Sequence, residues 1–194
     1  MGEATVLFRE FMRAPARVAT LTASSDALVA AMTAPVSDGD APVVVELGAG
    51  TGRVTDALQR RRCGVGRHLA IELSPVLARR LAERHPRVTV VCADAAELPA
   101  VLKAHGIAQV DALLSLLPWV AYDRAPIPAL ATAAVAQTGT FVQVSLCLTR
   151  WMEPARRQER DIRAMFDDVT IGTTVWRNLP PARVLIARSP LRAR

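Results

Sequence analysis

Three glycines at alternate positions form the stretch of this chain that is most suggestive of chemistry. Gly48, Gly50 and Gly52 follow a β-branched run that begins at Val43 and precede an amphipathic pattern. Glycine lets a backbone turn tightly and approach a ligand closely. Glu46, near the end of the run, can accept hydrogen bonds from a cationic or hydroxylated group. The spacing predicts a strand, a tight turn and a helix beside a small ligand.

This turn differs from the two common glycine-rich phosphate motifs. A P-loop places lysine and then serine or threonine after its last glycine, whereas Arg53 and Val54 follow Gly52. The dinucleotide fingerprint has its third glycine where Arg53 stands. We therefore expect a nucleoside ligand without a pyrophosphate.

Two further carboxylates end the next two predicted strands. Glu72 follows HLAI, about 20 residues beyond the glycine turn, and Asp94 follows the run VTVVC. Ligands of doubly wound sheets bind at the carboxyl ends of the strands. Glu72 is placed to accept ribose hydroxyls, with a merely solvated strand-end acid as the alternative. Asp94 and the N–H of Ala95 are placed to read an adenine edge.

The elements that must position these residues alternate between strand and helix from residue 43 onward. This βαβ pattern predicts a parallel sheet with helices on both faces. Ser74 followed by Pro75 is typical of a helix start. TFVQVSL is predicted as the fifth strand, and DVTIGTTVW with ARVLIARS as a closing hairpin. We expect one compact domain over residues 35–194, preceded by a helical extension over residues 1–34.

The N-terminal extension has one basic and one apolar face at helical spacing. Arg9 and Arg13 lie beside Phe8, Phe11 and Met12. Such a helix either covers the ligand cleft of its own domain or lies on a membrane surface. No secretory signal is visible, so we expect a cytoplasmic protein.

Charge and cysteine usage restrict the function only broadly. The net charge is +6, which is compatible with nucleic acid or an anionic membrane as partner. Cys63, Cys92 and Cys147 lack paired spacing, and the histidines are scattered. We therefore expect reduced thiols and no metal site.

The order of glycine turn, Glu72 and Asp94 resembles the class I S-adenosylmethionine-dependent methyltransferases, over residues 43–119. The resemblance implies an α/β, Rossmann-like, doubly wound sheet of seven strands whose last strand is reversed. It also implies S-adenosylmethionine as methyl donor, S-adenosylhomocysteine as product and no metal. The donor site that it implies comprises Glu46, Leu47, Gly48, Ala49, Gly50, Thr51, Gly52, Glu72, Leu73, Asp94, Ala95 and Ser115.

The run S-L-L-P-W after the fourth strand bears on the methyl acceptor. Methyltransferases of exocyclic base amines carry Asn or Asp two residues before the proline, where this chain has Leu116. Leucine has no oxygen for the amine, and Ser115 stands one place too early. This disfavours an adenine methylase of ribosomal RNA.

Further motifs resemble the bacterial phospholipid N-methyltransferases, which convert phosphatidylethanolamine to phosphatidylcholine. They comprise the basic N-terminal segment, the stretch NLPPA before the last strand and four motifs between them. These four are VVELGAGTGRVTDAL, AIELSPVLARRL, HPRVTVVCADAAEL and LLSLLPW. The chain departs from that family at Ala19, Ala23 and Leu116, where glycine, proline and glycine are usual. The resemblance implies a peripheral membrane enzyme whose Arg9 and Arg13 meet anionic lipid at the inner face of the membrane.

The same resemblance implies candidates around a lipid head group. Trp119 and Tyr122 would form an aromatic wall, with core packing as the alternative for Trp119. Ser115 and Asp123 would accept a hydrogen bond from the amine. Two residues beside the NLPPA motif, Arg177 and Asn178, would contact the phosphate, with solvation as the alternative for Arg177.

Two other function classes stay open. One is a soluble methyltransferase for a small secondary-metabolite amine, with the N-terminal helix as a lid. The other is a protein that binds nucleic acid without catalysis, which the intact glycine turn with Glu72 and Asp94 disfavours.

Overall fold

A computed structural model describes residues 24–37, 39, 41–62, 64–117 and 125–192. The strands are β1 (Val43–Leu47), β2 (Arg67–Glu72), β3 (Thr89–Cys92), β4 (Val110–Ser115), β5 (Val135–Leu146), β6 (Phe166–Ile171) and β7 (Ala182–Pro190). The helices are α1 (Asp26–Thr33), α2 (Arg53–Arg62), α3 (Pro75–Arg84), α4 (Leu98–Ala104), α5 (Ile127–Ala134) and α6 (Glu153–Met165). Two short 3₁₀ turns cover Ala95–Glu97 and Cys147–Thr149.

The seven strands form one sheet in the order β3-β2-β1-β4-β5-β7-β6. The strands from β1 to β5 pair in parallel, whereas β7 is antiparallel to both β5 and β6. The predicted doubly wound sheet with a reversed last strand is therefore confirmed. Because the order changes direction at β1, the carboxyl ends of β1 and β4 flank a crevice of the kind in which such sheets bind ligands.

Helices cover both faces of the sheet because the central strands are apolar on both sides. Val45, Leu47 and Leu113 face the core beneath α4, α5 and α6. Val44 and Leu114 face the opposite core, to which α1 and α2 contribute. Strands buried on both faces read as continuous hydrophobic runs, which is why VVVEL and VDALLS were recognisable.

Serine caps begin two of the helices. The Ser74 hydroxyl accepts a hydrogen bond from the backbone N–H of Leu77, and Pro75 takes the first helical position of α3, as predicted. The Ser25 hydroxyl likewise accepts from Leu28 N–H at the start of α1. The cap fixes where each chain segment turns back along the sheet.

The structure differs from the sequence prediction in the last third of the chain. β5 begins at Val135 rather than at Thr140, directly after the end of α5 at Ala134. β6 ends at Ile171, and the following GTTVW run contacts β7 through the Gly172 N–H, which donates to the carbonyl of Val184 at 2.8 Å, and through a bridge from Val175 to Ala182.

The helix α6 was missed from the sequence. Its buried stripe consists of Ala155, Gln158 and Ile162, of which only Ile162 is a large apolar residue. Its outer face carries ion pairs one turn apart, such as Arg163 with Glu159 at 3.1 Å. Pairs of this kind stabilise a helix whose buried stripe has little apolar character.

The connection from β6 to β7 is tied to the start of α1. The side chain of Asn178 is buried, and its Oδ1 accepts a hydrogen bond from Ser25 N–H at 2.8 Å. Its Nδ2 donates to the carbonyl of Pro180 at 2.7 Å. Residues far apart in sequence are thereby joined at the carboxyl edge of the sheet.

The predicted membrane-facing Arg9 and Arg13 lie outside the described residues, as do Trp119, Tyr122 and Asp123. Within the described part of the chain, no helix is long and apolar enough to cross a bilayer. The division into an extension over 1–34 and a domain over 35–194 stays a prediction, although α1 packs into the core of the domain.

Replacing Asn178 by alanine removes both side-chain hydrogen bonds and leaves the Ser25 N–H without its partner. We expect the free energy of unfolding to fall by about 1–3 kcal/mol, measured by urea denaturation. The matched control is Arg177→Ala, at the exposed neighbouring position, which should change stability by less than about 0.5 kcal/mol. Equal stabilities of the two variants would show that the amide does not fasten this connection.

Candidate functional site

The glycine turn lies at the carboxyl end of β1, between β2 and β4. Gly48 N–H donates to the carbonyl of Ile71 in β2 at 2.8 Å. The carbonyl of Leu47 accepts from Leu116 N–H, just beyond β4, at 3.0 Å. These two bonds extend the sheet into the turn, so that the turn and the ends of both neighbouring strands form one surface.

The three glycines of the turn share a left-handed backbone, but Gly50 and Gly52 differ in what surrounds them. Their φ angles are +72°, +58° and +79° for Gly48, Gly50 and Gly52, a region that side chains disfavour. A Cβ at Gly52 would collide with the side chains of Leu81 and Arg84 in α3. A Cβ at Gly50 would meet nothing closer than the carbonyl of Gly48 at 3.9 Å. Gly52 is therefore required for packing, while Gly50 faces open space where a ligand can approach.

The carboxylate of Glu72 joins the turn to the end of β2. Its Oε2 accepts from Gly50 N–H at 2.7 Å, and its Oε1 accepts from Ser74 N–H at 2.9 Å. The side chain is nearly buried, so these charge-assisted bonds are shielded from water. Each oxygen has a second lone pair that can accept a further donor.

Asp94 shapes the end of β3. Its side chain accepts from Ala96 N–H at 2.9 Å, while Glu97 accepts from Asp94 N–H at 3.0 Å. This capping box starts the 3₁₀ turn that contains Ala95. Leu73, at the neighbouring strand end, is 59% exposed and presents an apolar surface at the same edge.

A buried polar row runs beneath the turn. Glu46 is inaccessible to solvent, and its Oε1 lies 2.7 Å from Nε2 of His68 in β2. Nδ1 of the same ring lies 2.8 Å from the amide nitrogen of Gln59 in α2. With the amide donating to Nδ1, the ring donates through Nε2–H to the carboxylate. The other carboxylate oxygen of Glu46 has no hydrogen-bond partner within the described chain.

Ser115 and Gln143 occupy the neighbouring ends of β4 and β5, where they are register partners. Both are fully buried, and the Ser115 hydroxyl finds no hydrogen-bond partner in the described part of the structure. The Gln143 amide donates to the carbonyls of Leu117 and Val144 at 3.0 and 2.6 Å. Gln143 thus fixes the first residues of the loop that follows β4.

Sequence reasoning missed His68, Gln59 and Gln143. A buried glutamine inside the apolar strand TFVQVSL is a usable signal, because such an amide must find partners within the fold. His68 and Gln59 carry no signal in their spacing, since their contact forms only where α2 packs against β2.

The residues proposed for a phosphate differ in their surroundings. Arg177 is exposed on the connection before β7. Asn178 is 6% exposed, and both ends of its amide are engaged within the protein. Among the described residues, no group of three or more His, Cys, Asp or Glu side chains is arranged to hold a metal.

Comparison with known proteins identifies the family. Residues 44–135 match the family model of a methyltransferase domain. The ornithine lipid N-methyltransferase of Singulisphaera acidiphila is 31% identical over 185 residues, which cover 92% of this chain and 92% of that protein. The chain belongs to the class I S-adenosylmethionine-dependent methyltransferases. The methyl donor of this methyltransferase is therefore S-adenosylmethionine.

Solved structures share the fold of this methyltransferase at low sequence identity. The precorrin-6y C5,15-methyltransferase of Geobacter metallireducens is 16% identical, with a TM-score of 0.62 over 86% of this chain and 93% of that one. Fibrillarin of Aeropyrum pernix, solved with natively bound S-adenosyl-L-methionine, is 14% identical, with a TM-score of 0.59 over 82% and 74%.

The residues at the carboxyl edge fit this donor chemically. A nucleoside needs acceptors for its hydroxyls, an apolar surface for its base and room to approach the backbone. Glu72, Leu73 and Gly50 offer these three features. One oxygen of Glu46 and the hydroxyl of Ser115 have no partner among the described residues, and they are buried acceptors of the kind that a bound ligand satisfies, because leaving them unpaired costs free energy.

Glu72→Gln replaces one carboxylate oxygen by an amide nitrogen and leaves either Gly50 N–H or Ser74 N–H without its acceptor. We expect the affinity for S-adenosylhomocysteine to fall by about 1–3 kcal/mol, measured by titration calorimetry. Glu83→Gln is the control, since Glu83 is exposed and makes only a surface pair with Arg79 at 3.9 Å. An unchanged dissociation constant in Glu72→Gln would remove this carboxylate from the donor site.

Alanine at the two glycines should separate packing from ligand approach. Gly50→Ala should lower the free energy of unfolding by about 1–2 kcal/mol, the cost of the left-handed backbone alone. Gly52→Ala should lower it by about 3 kcal/mol or more, because the added methyl also displaces Leu81. Thermal and urea denaturation measure both effects.

At a temperature where Gly50→Ala is folded, calorimetry should find S-adenosylhomocysteine bound about tenfold or more weakly. Wild-type affinity in Gly50→Ala would mean that the ligand does not approach this glycine.

Proposed function

We propose that this methyltransferase transfers methyl groups to an amine nitrogen of a membrane lipid head group. The observation that carries the proposal is the 31% identity with the ornithine lipid N-methyltransferase, which extends over 92% of both chains. A match of this extent includes the segments on either side of the donor site, where an acceptor would be held. Ornithine and ethanolamine both offer a primary amine, so the sequence-based expectation of phosphatidylethanolamine belongs to the same chemical class.

The donor would be held by the residues at the ends of β1, β2 and β3. The turn from Gly48 to Gly52 would face the methionine part, and the second lone pairs of Glu72 would accept the ribose hydroxyls. Asp94 and Ala95 N–H would meet the adenine edge, and Leu73 its face. When bound, S-adenosylmethionine supplies an electrophilic methyl group on a sulfonium.

The protein's own contribution to methyl transfer is mainly positioning. An attacking nitrogen must lie in line with the methyl group at about 3 Å, and holding it there removes much of the entropic barrier. Ser115 lies beside the donor turn, and its buried hydroxyl can accept a hydrogen bond from the amine N–H. Gln143 donates to the carbonyl of Leu117 at 3.0 Å and so positions the last described residue after β4.

An ammonium head group must lose a proton before it attacks. A base, or simple deprotonation in a dry site, would remove that proton. Asp123 is proposed to accept a hydrogen bond from the amine, with Trp119 and Tyr122 as the aromatic wall against which the methylated cation rests. The exposed guanidinium of Arg177 is proposed to meet an anionic group of the lipid.

Lipid analysis tests this proposal. The purified full chain is incubated with methyl-deuterated S-adenosylmethionine and, in separate mixed micelles, with ornithine lipid or phosphatidylethanolamine. Mass spectrometry should find deuterated methyl groups on the ornithine lipid, in amounts that Glu72→Gln reduces and Glu83→Gln does not.

Transfer to phosphatidylethanolamine alone would support a lipid amine as the acceptor but would identify it as ethanolamine instead of ornithine. Transfer to neither lipid, with transfer to a water-soluble amine, would refute the proposal in favour of a soluble small-molecule methyltransferase.

A further inference from the structure

Exposed large hydrophobic side chains are concentrated on one edge of the described structure. Among the described residues eight such side chains are exposed, and six of them lie at the carboxyl edge of the sheet, where the candidate donor site is. Only Val65 and Leu191, before β2 and after β7, lie at the opposite edge. The six are Leu73, Val76, Leu148, Trp151, Trp176 and Leu179.

Four of these side chains come from two connections that touch each other. Cys147 N–H, after β5, donates to the carbonyl of Pro181, before β7, at 2.8 Å. The Cys147 thiol also lies 3.8 Å from the Thr174 hydroxyl. We call the exposed side chains of these two connections the tryptophan rim, which comprises Leu148, Trp151, Trp176 and Leu179.

The two tryptophans are the most exposed members of the rim. Trp151 is 60% exposed and Trp176 is 76% exposed. The indole N–H of Trp151 donates to the carbonyl of Leu148 at 2.8 Å, so the only polar atom of this side chain is already paired. Moving such an indole out of water buries its apolar surface and leaves no hydrogen-bond donor unpaired.

The charge of the rim complements an anionic surface. Arg150 and Arg177 stand next to the two tryptophans and are both exposed. The segments 147–152 and 172–182 contain no acidic residue. The next acid along the chain, Glu153, is paired with Arg160, whose hydrogen bond and charge lower the pKa of the Glu153 carboxyl.

The N-terminal segment joins the protein beside the rim. Ser25 N–H is bound by Asn178, which lies between Trp176 and Leu179 in sequence. Residues 1–23, which the sequence predicts to be basic and amphipathic, therefore connect to the body of the protein at this point. The described structure thus begins, at Ser24 and Ser25, beside the exposed tryptophans.

We propose that the tryptophan rim docks on the interfacial region of an anionic bilayer. Trp151 and Trp176 enter the head-group layer, where amphipathic rings are favoured, and Arg150 and Arg177 meet lipid phosphates. Docking in this orientation turns the donor edge of the sheet towards the head groups. The purpose given to docking, which is access to a lipid head group, rests on the proposed function. The binding of the rim to vesicles does not depend on it.

Vesicle flotation of the full chain tests the docking surface. The vesicles contain phosphatidylglycerol and phosphatidylcholine, neither of which carries a primary amine to be methylated. We expect the double variant Trp151→Ser, Trp176→Ser to bind about tenfold more weakly than wild type. The matched control Val65→Ser, Leu191→Ser removes two exposed apolar residues from the opposite edge and should bind like wild type.

Arginine variants test the electrostatic part. Arg150→Glu should weaken binding to anionic vesicles, and the loss should shrink in high salt. Arg80→Glu, on the exposed surface of α3, makes the same charge change away from the rim and should have little effect. Equal binding of both variants would remove Arg150 from the docking surface.

Wild-type binding by the tryptophan variant would overturn the proposal, and so would a wild-type protein that does not float with anionic vesicles. A tryptophan variant that binds normally but no longer self-associates in light scattering would assign the rim to a second copy of the chain instead.

Methyl transfer to a short-chain lipid below its micelle concentration separates docking from chemistry. The tryptophan variant should retain this activity while losing activity on vesicles. Wild-type protein that floats with vesicles but methylates no lipid would refute the proposed function and leave the docking surface intact.

Discussion

The carboxylate of Glu72 is the interaction on which the candidate site depends. By accepting Gly50 N–H and Ser74 N–H, it fixes the turn after β1 against the start of α3. Neither segment has a regular strand or helix partner at these two N–H groups, so without the carboxylate two donors would lie unpaired in a nearly buried place. The glycine turn thereby acquires one conformation before a ligand arrives, and such preorganisation reduces the entropic cost of binding.

A second polar arrangement lies deeper and has a different effect. The row from Gln59 through His68 to Glu46 crosses from α2 to the sheet inside an otherwise apolar layer. A buried network is stabilising only when all its members are satisfied, and here one oxygen of Glu46 has no partner within the described residues. The row therefore links β1, β2 and α2 beneath the candidate site, with one buried acceptor that the described residues do not satisfy.

The sequence predicted what depends on local pattern and missed what depends on distant contact. Glycines at 48, 50 and 52 and acids at 72 and 94 indicated the strand ends, because turn and cap chemistry is local. Glu72 accepts a hydrogen bond from Gly50, and Glu46 pairs with His68. In each contact the two residues are 22 positions apart in sequence, so no local periodicity reveals it. Likewise, α6 was not predicted, because its outer face carries ion pairs and its buried stripe contains one large apolar residue, Ile162.

We propose that the ends of β1, β2 and β3 form a single site for S-adenosylmethionine. Hydrogen exchange with mass spectrometry, with and without S-adenosylhomocysteine, tests this most directly, because ligand binding slows the opening of the amides that it contacts. We expect peptides covering 46–52, 72–77 and 92–98 to gain protection together, at one ligand concentration. Protection confined to another region, such as the α2 and α3 surface around Arg60 and Arg87, would contradict it.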